Sequence, residues 1–283
     1  MNYRHSYHAG NFADVVKHCV LALIVRHLVN KDAAFRYLDT HAGVGAYDLE
    51  QEEPNRTGEW RDGVGRIWGT SLPDEAARLI APWKAAVEEL NPDGRLRFYP
   101  GSPELVRKLA RPQDRLTLCE LHPEDAAHLR WRYARDKRIA VVEIDGYTAL
   151  NAYVPPKERR GLVLVDPPFE EANEFRRMVE ALKKGHAKWP IGIYALWYPI
   201  KDVLETEAFT RALGKAKIPS IISAELLIHR PNDTARLNGC GLAIVNPPWT
   251  LKKDLATLLP ALAQHLGRDS GARGRLIEIA GEA

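Results

Sequence analysis

Residues Asp166-Pro167-Pro168-Phe169 follow directly on the apolar run Gly161-Leu162-Val163-Leu164-Val165. A buried strand with this ending brings a carboxylate, a rigid backbone carbonyl and a flat ring to one point. The combination suits the exocyclic amino group of a planar base, whose nitrogen is a poor nucleophile because its lone pair is delocalised into the ring. With its two hydrogens held by the Asp166 carboxylate and the Pro167 carbonyl, that lone pair is re-localised for attack on a methyl donor. Proline fixes φ and presents its carbonyl without a competing N–H. Phe169 is placed to stack on a base that has left its helix. The plainer reading is a strand followed by a proline-rich turn. A second copy of the pattern complicates the choice. Asn246-Pro247-Pro248-Trp249 follows Gly241-Leu242-Ala243-Ile244-Val245, and an Asn side chain also accepts from an amino group.

Ranking the two copies requires a site for the donor. Residues 33–38 read as a strand entering Asp39-Thr40-His41-Ala42-Gly43-Val44-Gly45, and a strand running into a Gly-x-Gly turn sets a cofactor against backbone amides. No third glycine follows at the dinucleotide spacing and no phosphate lysine is evident, which weighs against nicotinamide cofactors and P-loops. Four strands then end at or beside an acid: Asp39, Glu120, Asp145 and Asp166. In open α/β sheets ligands bind beyond the carboxyl ends of the strands, so these groups are expected to line one crevice. Glu120 suits the two hydroxyls of a ribose. Asp145 suits the amino group of an adenine, and Asp39 with the Gly43-Val44-Gly45 turn suits an amino-acid end. These are the needs of S-adenosylmethionine. One acidic strand end is ordinarily a plain polar boundary; the ordered set carries the inference. It also favours Asp166, which follows the third acidic strand directly, over Asn246, three strands later.

The elements that must hold these groups form a strand–helix alternation. Ala13, Val16, Val20, Leu23, Ile24 and Leu28 share one face of a helix over about 11–29, with Asn11 as its N-cap. Residues from about 49 to 94 break the alternation, and helical spacing over 74–90 predicts a small helical insertion. Alternation resumes with a strand at 95–99, a helix at 103–109, a strand at 115–119, a helix at 124–135 and a strand at 140–144. Further strands are expected at 161–165, 191–197, 220–227 and 242–245. The tail after Gly267 is expected to be loose until 275–279. This order implies an α/β fold, a mostly parallel sheet with helices on both faces.

A chain of 283 residues accommodates one large α/β domain with an insertion, or two domains. Its 40 Lys and Arg against 37 Asp and Glu leave +3, which permits a nucleic-acid partner without requiring one. Cys19, Cys119 and Cys240 are odd in number, scattered and without a C-x-x-C pair, favouring a reducing cytoplasm over secretion. The ten histidines show no zinc-ligand spacing, so no metal is expected. The apolar stretch Cys19 to Val25 is too short to cross a bilayer and follows no cleavable signal. A cytoplasmic protein with no membrane partner is expected.

Several segments together carry a family resemblance. They are Tyr3-Arg4-His5-Ser6-Tyr7-His8-Ala9-Gly10-Asn11, Leu38-Asp39-Thr40-His41-Ala42-Gly43, Tyr99-Pro100-Gly101-Ser102-Pro103 and Glu120-Leu121-His122-Pro123. Asp166-Pro167-Pro168, Tyr194-Ala195-Leu196-Trp197-Tyr198-Pro199 and Asn246-Pro247-Pro248-Trp249 complete the set. With them the chain resembles the class I adenine-N6 methyltransferases, and more closely the J-type bacterial enzymes that act on 23S ribosomal RNA. The resemblance spans nearly the whole chain. It implies a Rossmann-like class I methyltransferase with a mostly parallel seven-stranded sheet, formed by 1–48 and 95–283, and an inserted helical subdomain at 49–94. The N-terminal segment, 1–29, is implied to close over cofactor and target base, with Lys17 and His18 touching the donor S-adenosyl-L-methionine. His41 and Ser102 are implied to line the donor pocket, and Glu120, Asp145 and Gly146 to surround the adenosine. Asp166 is implied as the catalytic acidic residue, with Tyr3 and His5 near the target base. The chain departs from the family at Phe169, where related enzymes usually carry Tyr; stacking survives that change, a role for a phenol hydroxyl does not.

The resemblance makes 23S ribosomal RNA the partner and base flipping with direct in-line transfer the mechanism, and the protein is expected to act as a monomer. Asn246 to Trp249 recurs in that family without a catalytic role and is read as a structural turn. Tyr194 to Pro199 is read as core and pocket wall. Candidates for phosphate contact are Arg107, Lys108, Arg111, Lys157, Arg159 and Arg160, with Arg56, Arg61 and Arg66 of the insertion. The run Arg130 to Arg138 alternates charge and reads as a solvated helix face. Cys119 and His122 are read as packing or capping residues. Two rival readings stay open: the same chemistry on DNA adenine or a protein glutamine amide, and a catalytically silent RNA-binding assembly factor.

Overall fold

The computed structural model describes residues 5–282. Tyr3 lies outside the described residues. In chain order, helix α1 (Phe12–Val29) leads into strand β1 (Arg36–Asp39). A ribbon of β2 (Ala46–Asp48) and β3 (Phe98–Pro100) then brackets the helices α2 (Glu52–Thr57), α3 (Val64–Ile67) and α4 (Asp74–Glu88). The alternation continues through α5 (Ser102–Leu109), β4 (Arg115–Glu120), α6 (Pro123–Tyr133), β5 (Ile139–Glu143), α7 (Gly146–Tyr153), β6 (Gly161–Val165) and α8 (Glu174–Lys188). It closes with β7 (Ile193–Ile200), α9 (Val203–Gly214), β8 (Ile221–Leu227), β9 (Gly239–Val245), α10 (Leu251–Leu266) and β10 (Arg273–Ala280).

The main sheet has eight strands in the order β10-β8-β9-β7-β6-β1-β4-β5. The five strands from β7 to β5 are parallel, while β9, β8 and β10 alternate in direction. The four acid-tipped strands β6, β1, β4 and β5 are therefore neighbours running the same way. Asp39 lies opposite Leu118 and Leu164, and Glu120 opposite Glu143. Every residue of β6 is buried, as expected for a strand covered on both faces.

Three features differ from the sequence-based expectation. The sheet has eight strands rather than seven, because the tail forms an edge strand along β8. Arg275 Nε donates to Glu225 Oε2 at 2.5 Å, and Glu225 Oε1 accepts from Tyr198 OH at 2.6 Å. That pairing depends on β8 and on a buried carboxylate 50 positions away, so no local pattern announces it. Residues 95–99 do not join the main sheet. The Asn91 side chain captures the N–H groups of Arg97 and Phe98, at 2.7 and 2.8 Å, and Phe98–Pro100 pairs with β2 instead. Helix α1 presents no single apolar face: residues 12–25 are all buried, so the helix is enclosed rather than laid on a surface. Its neighbours include α4, α5 and α10. Val64, Ile67, Ile80 and Trp83 of the 49–94 segment belong to the same apolar cluster as α1. No helix among the described residues is long and apolar enough to cross a membrane.

Candidate active site

Two cavities open at the carboxyl edge of the parallel strands and share one wall. The first, of about 400 Å³, is lined by the ends of β1, β4, β5 and β6 and the starts of α5 and α7. The second, of about 630 Å³, lies between the start of α1, the turn after β6 and the loops after β7 and β8. His5, Lys17, Asp166, Pro167 and Pro168 line both.

The shared wall is an ion-paired chain. Asn11 caps α1 by accepting from Asp14 N at 3.0 Å, which sets Asp14 in the first helical turn with Lys17 one turn on. Asp14 accepts from Gly10 N at 2.9 Å and pairs with His5 Nε2 at 3.1 Å. Lys17 Nζ sits 2.8 Å from Asp14 Oδ1 and 2.5 Å from Asp166 Oδ2. Burial alone would raise the Asp14 carboxyl, yet the positive charge of Lys17 and the hydrogen bond from His5 hold it well below the carboxylate range. Burial alone would lower the Lys17 ammonium; Asp14 and Asp166 outweigh it and raise its pKa. Lys17 therefore stays charged and fixes Asp166 from behind.

The turn after Asp166 directs the ring of Phe169 away from the first cavity and into the second. Phe169 has φ +52°, in the left-handed region that side-chain-bearing residues seldom adopt. Its ring meets Phe175 and Trp197 edge-on, with centroids 5.0 and 5.8 Å apart. Trp197 and Pro199 also line this cavity, so the 194–199 segment divides between wall and core, where Tyr194 and Tyr198 are buried.

In the first cavity the acids take unequal places. Glu120 accepts Gly43 N on Oε2 and His122 N on Oε1, each at 2.8 Å, so both oxygens are oriented while each keeps acceptor capacity. Burial raises its pKa, against the lowering effect of those two amides. Asp145 caps α7, its Oδ1 accepting from Thr148 N at 2.8 Å, with Arg177 3.7 Å from Oδ2. Gly146 follows at the helix start, where a Cβ would sit 2.5 Å from the Thr40 carbonyl. Gly43 and Gly45 have φ +61° and +86°, which accounts for both glycines of that turn.

Asp39 differs from the other three. It is 0% exposed and does not line the cavity. It accepts from Ser102 Oγ at 2.6 Å and Tyr37 OH at 2.7 Å, and so orients Ser102, which does line it. Burial pushes its pKa up to about 6. Burial pushes His18 down to about 3 and His41 down to about 4, which leaves these two rings neutral near pH 7. His18 Nδ1 bonds Tyr99 OH at 2.9 Å, and its buried Nε2 has no partner. An unsatisfied ring nitrogen, glycine-lined backbone and oriented carboxylates together fit a polar, adenosine-sized ligand.

Reasoning from sequence missed Asp14, Tyr47, Tyr147, Glu174 and Arg177. Tyr147 OH donates to Glu174 Oε1 at 2.5 Å, and the Arg177 guanidinium lies 4.8 Å from the Tyr147 ring centroid. His122, read as a packing or capping residue, lines the first cavity without making a side-chain cap. Of the basic residues proposed for phosphate contact, several are held by internal partners. Arg111 donates to Asp114 and to the carbonyls of Val29, Lys31 and Ala33, and Arg160 to those of Ala33 and Leu28. Arg107 is bound to Glu104, and Lys108 to Glu89.

Comparison with known proteins agrees across the chain. The family described as "Ribosomal RNA large subunit methyltransferase D, RlmJ" matches residues 32–277. The Ribosomal RNA large subunit methyltransferase J of Escherichia coli (strain K12) is 42% identical over 267 residues, covering 94% of each chain. Its counterpart in Haemophilus influenzae is 41% identical over 268 residues, again 94% of each. A crystal structure of a protein from Legionella pneumophila superposes with a TM-score of 0.85 at 33% identity, covering 95% of this chain and 97% of that one. With the fold, the carboxyl-edge cavities and these relatives in agreement, the chain belongs to the ribosomal RNA large subunit methyltransferase J family.

Proposed function

We propose that this protein transfers a methyl group from S-adenosylmethionine to N6 of an adenine in 23S ribosomal RNA, with the adenine turned out of its helix. The observation that carries the reading is the shared wall: Asp166, Pro167 and Pro168 face a cavity suited to the donor on one side and an aromatic cavity on the other. Glu120 and Asp145 would hold the ribose and adenine of the donor, His18, His41 and Ser102 the rest of it. When bound, S-adenosylmethionine supplies a methyl carbon on a positively charged sulfur, open to in-line displacement.

The protein's own residues do the remaining work. Phe169 and Trp197 stack around the extruded adenine and exclude water. Lys17 occupies Asp166 Oδ2, which leaves Oδ1 to accept one hydrogen of the adenine amino group while the Pro167 carbonyl accepts the other. The nitrogen lone pair is thereby directed at the methyl carbon. Asp166 need not be a strong base beforehand, because the amino proton becomes acidic only as the new C–N bond forms. Positioning and preorganised charge supply most of the barrier reduction. His5, on the same ion-paired chain, stands beside the base and ties the N-terminal segment to the reacting groups.

Mass spectrometry of ribosomal RNA from cells lacking the gene tests this reading. The expected result is one missing N6-methyladenine in 23S RNA, restored by adding the purified protein and donor. Transfer of labelled methyl to DNA or protein but not to 23S RNA refutes it.

A further inference from the structure

We propose that Lys201 and Arg236 form a phosphate clamp at the mouth of the second cavity, gripping the RNA backbone beside the extruded adenine. The proposal rests on the reading of that cavity as the base pocket.

Most cations that line the cavity are already paired with carboxylates. Lys17 lies between Asp14 and Asp166. Arg268 Nη1 is 2.5 Å from Asp62 Oδ1, His229 Nδ1 is 3.1 Å from Asp269, and His8 Nδ1 is 3.0 Å from Glu59. Lys201 and Arg236 also line the cavity, and neither has a carboxylate partner among the described residues. Lys201 is exposed and Arg236 half-buried, so both charges are available to a ligand.

Their placement is built rather than incidental. Asn238 is 0% exposed and uses its side-chain amide to join the two segments that carry these cations. Its Nδ2 donates to the carbonyls of Asp233 at 2.7 Å, Lys201 at 3.0 Å and Arg236 at 3.2 Å. Its Oδ1 accepts from Arg236 Nε at 3.2 Å, and its backbone N–H bonds the Ile200 carbonyl at 3.0 Å. The loop between β8 and β9 is thus anchored to the end of β7 by one buried side chain. With Nε committed to Asn238, the Arg236 guanidinium keeps its terminal N–H groups for a planar or tetrahedral anion.

Phosphodiester is the ligand these features fit. Phe169 and Trp197 give the cavity an aromatic wall suited to an uncharged ring, whereas Lys201, exposed, and Arg236, half-buried, supply cations toward its solvent-facing rim. An extruded nucleotide presents its base inward and its flanking phosphates at such a rim. Arg111 and Arg160, by contrast, expend their donors on the protein's own carbonyls.

Fluorescence anisotropy with a labelled RNA hairpin carrying adenine in its loop, titrated at several salt concentrations, tests the clamp. Lys201→Ala and Arg236→Ala should each weaken binding about 3- to 10-fold near physiological salt. Each should reduce the slope of log affinity against log salt by about 0.7 to 0.9. The RNA concentration for half-maximal methyl transfer should rise by a similar factor. Lys183→Ala, on the outer face of α8 and paired with Glu180, should leave affinity and slope at wild-type values. A double Lys201→Ala/Arg236→Ala variant that is active and keeps the wild-type slope and affinity overturns the clamp and leaves the base-pocket reading standing. A wild-type protein that binds RNA through these residues yet methylates no adenine overturns the base-pocket reading instead.

Discussion

Two copies of the Pro-Pro-aromatic turn lie at opposite edges of one sheet, and their fates diverge. Strand β6 runs with its parallel neighbours and delivers Asp166 to the carboxyl edge, where it meets Lys17. Strand β9 runs against β7, with Val245 opposite Tyr194, and delivers Asn246 beside the start of β7. There the Asn246 amide donates to the carbonyls of Pro190 and Gly192, at 2.7 and 2.8 Å. Trp249 is left 86% exposed, while Phe169 is packed against two rings. Each turn contains a left-handed residue, but at a different place: Asn246 itself at φ +53°, and Phe169 at φ +52°. Asn visits that region readily and Phe does not, so only the first copy stores strain, and it does so at the residue facing a cavity. Strand direction, more than the motif's composition, decides which of the two turns lines the carboxyl-edge cavities.

Exchange experiments put that contrast to the test. The largest effect is expected for Asp166→Ala, which should lower single-turnover methyl transfer by roughly 10³-fold or more, leaving donor affinity largely intact. Adding Asn246→Asp should restore nothing; recovery in the double variant would erase the distinction between the edges. A smaller effect is expected for the aromatics. Phe169→Ala should lower kcat/KM for RNA about 10- to 100-fold, the scale of one lost base stack. Trp249→Ala should change it by less than about twofold on the same scale, and equal losses in the two variants would contradict the assignment of the two edges.

The smallest expected effect is on stability against pH, and it belongs to the carboxyl edge. The Asp14 carboxyl is held below its ordinary value near 3.8, so its contribution is present above that pH and fades as pH falls through the lower folded value. Asp39 is raised from 3.8 to about 6, so its contribution is present below pH 3.8 and is lost as pH rises through about 6. Asp39→Asn should therefore flatten the decline in Tm between pH 4 and 6 that this group imposes, and Asp14→Asn should flatten the loss on the acid side. Asn246→Ala should alter neither slope. Melting curves across pH 3–8 check this, and an Asp39→Asn slope identical to wild type would contradict the burial argument.

Some of this was legible in one dimension because it is local. The apolar run before Asp166, the glycines around Val44 and the acid at the end of four of the five parallel strands are readable within a few residues of chain. Asp14 was not, because an acid in the first turn of a helix ordinarily serves the helix dipole. Its place between His5 and Lys17 appears only when the N-terminal segment folds back. Lys201, Arg236 and Asn238 sit in loops without periodicity, and only a shared buried amide relates them. Arg111 and Arg160 looked available because charge alone does not reveal which carbonyls surround it. The eighth strand escaped notice because its partner is β8 rather than its chain neighbours.

The order of residues determined which side chain ends each strand and where a chain without free N–H groups must turn, since those depend on hydrophobic period and on proline's covalent ring. Only the packed molecule decided that β9 points the other way. Only packing brought Lys17 within 2.5 Å of Asp166 across 149 positions of chain. Contacts of that kind are set by how an enclosed helix seats on a sheet, a balance of apolar burial summed over the whole core that no short stretch of residues contains.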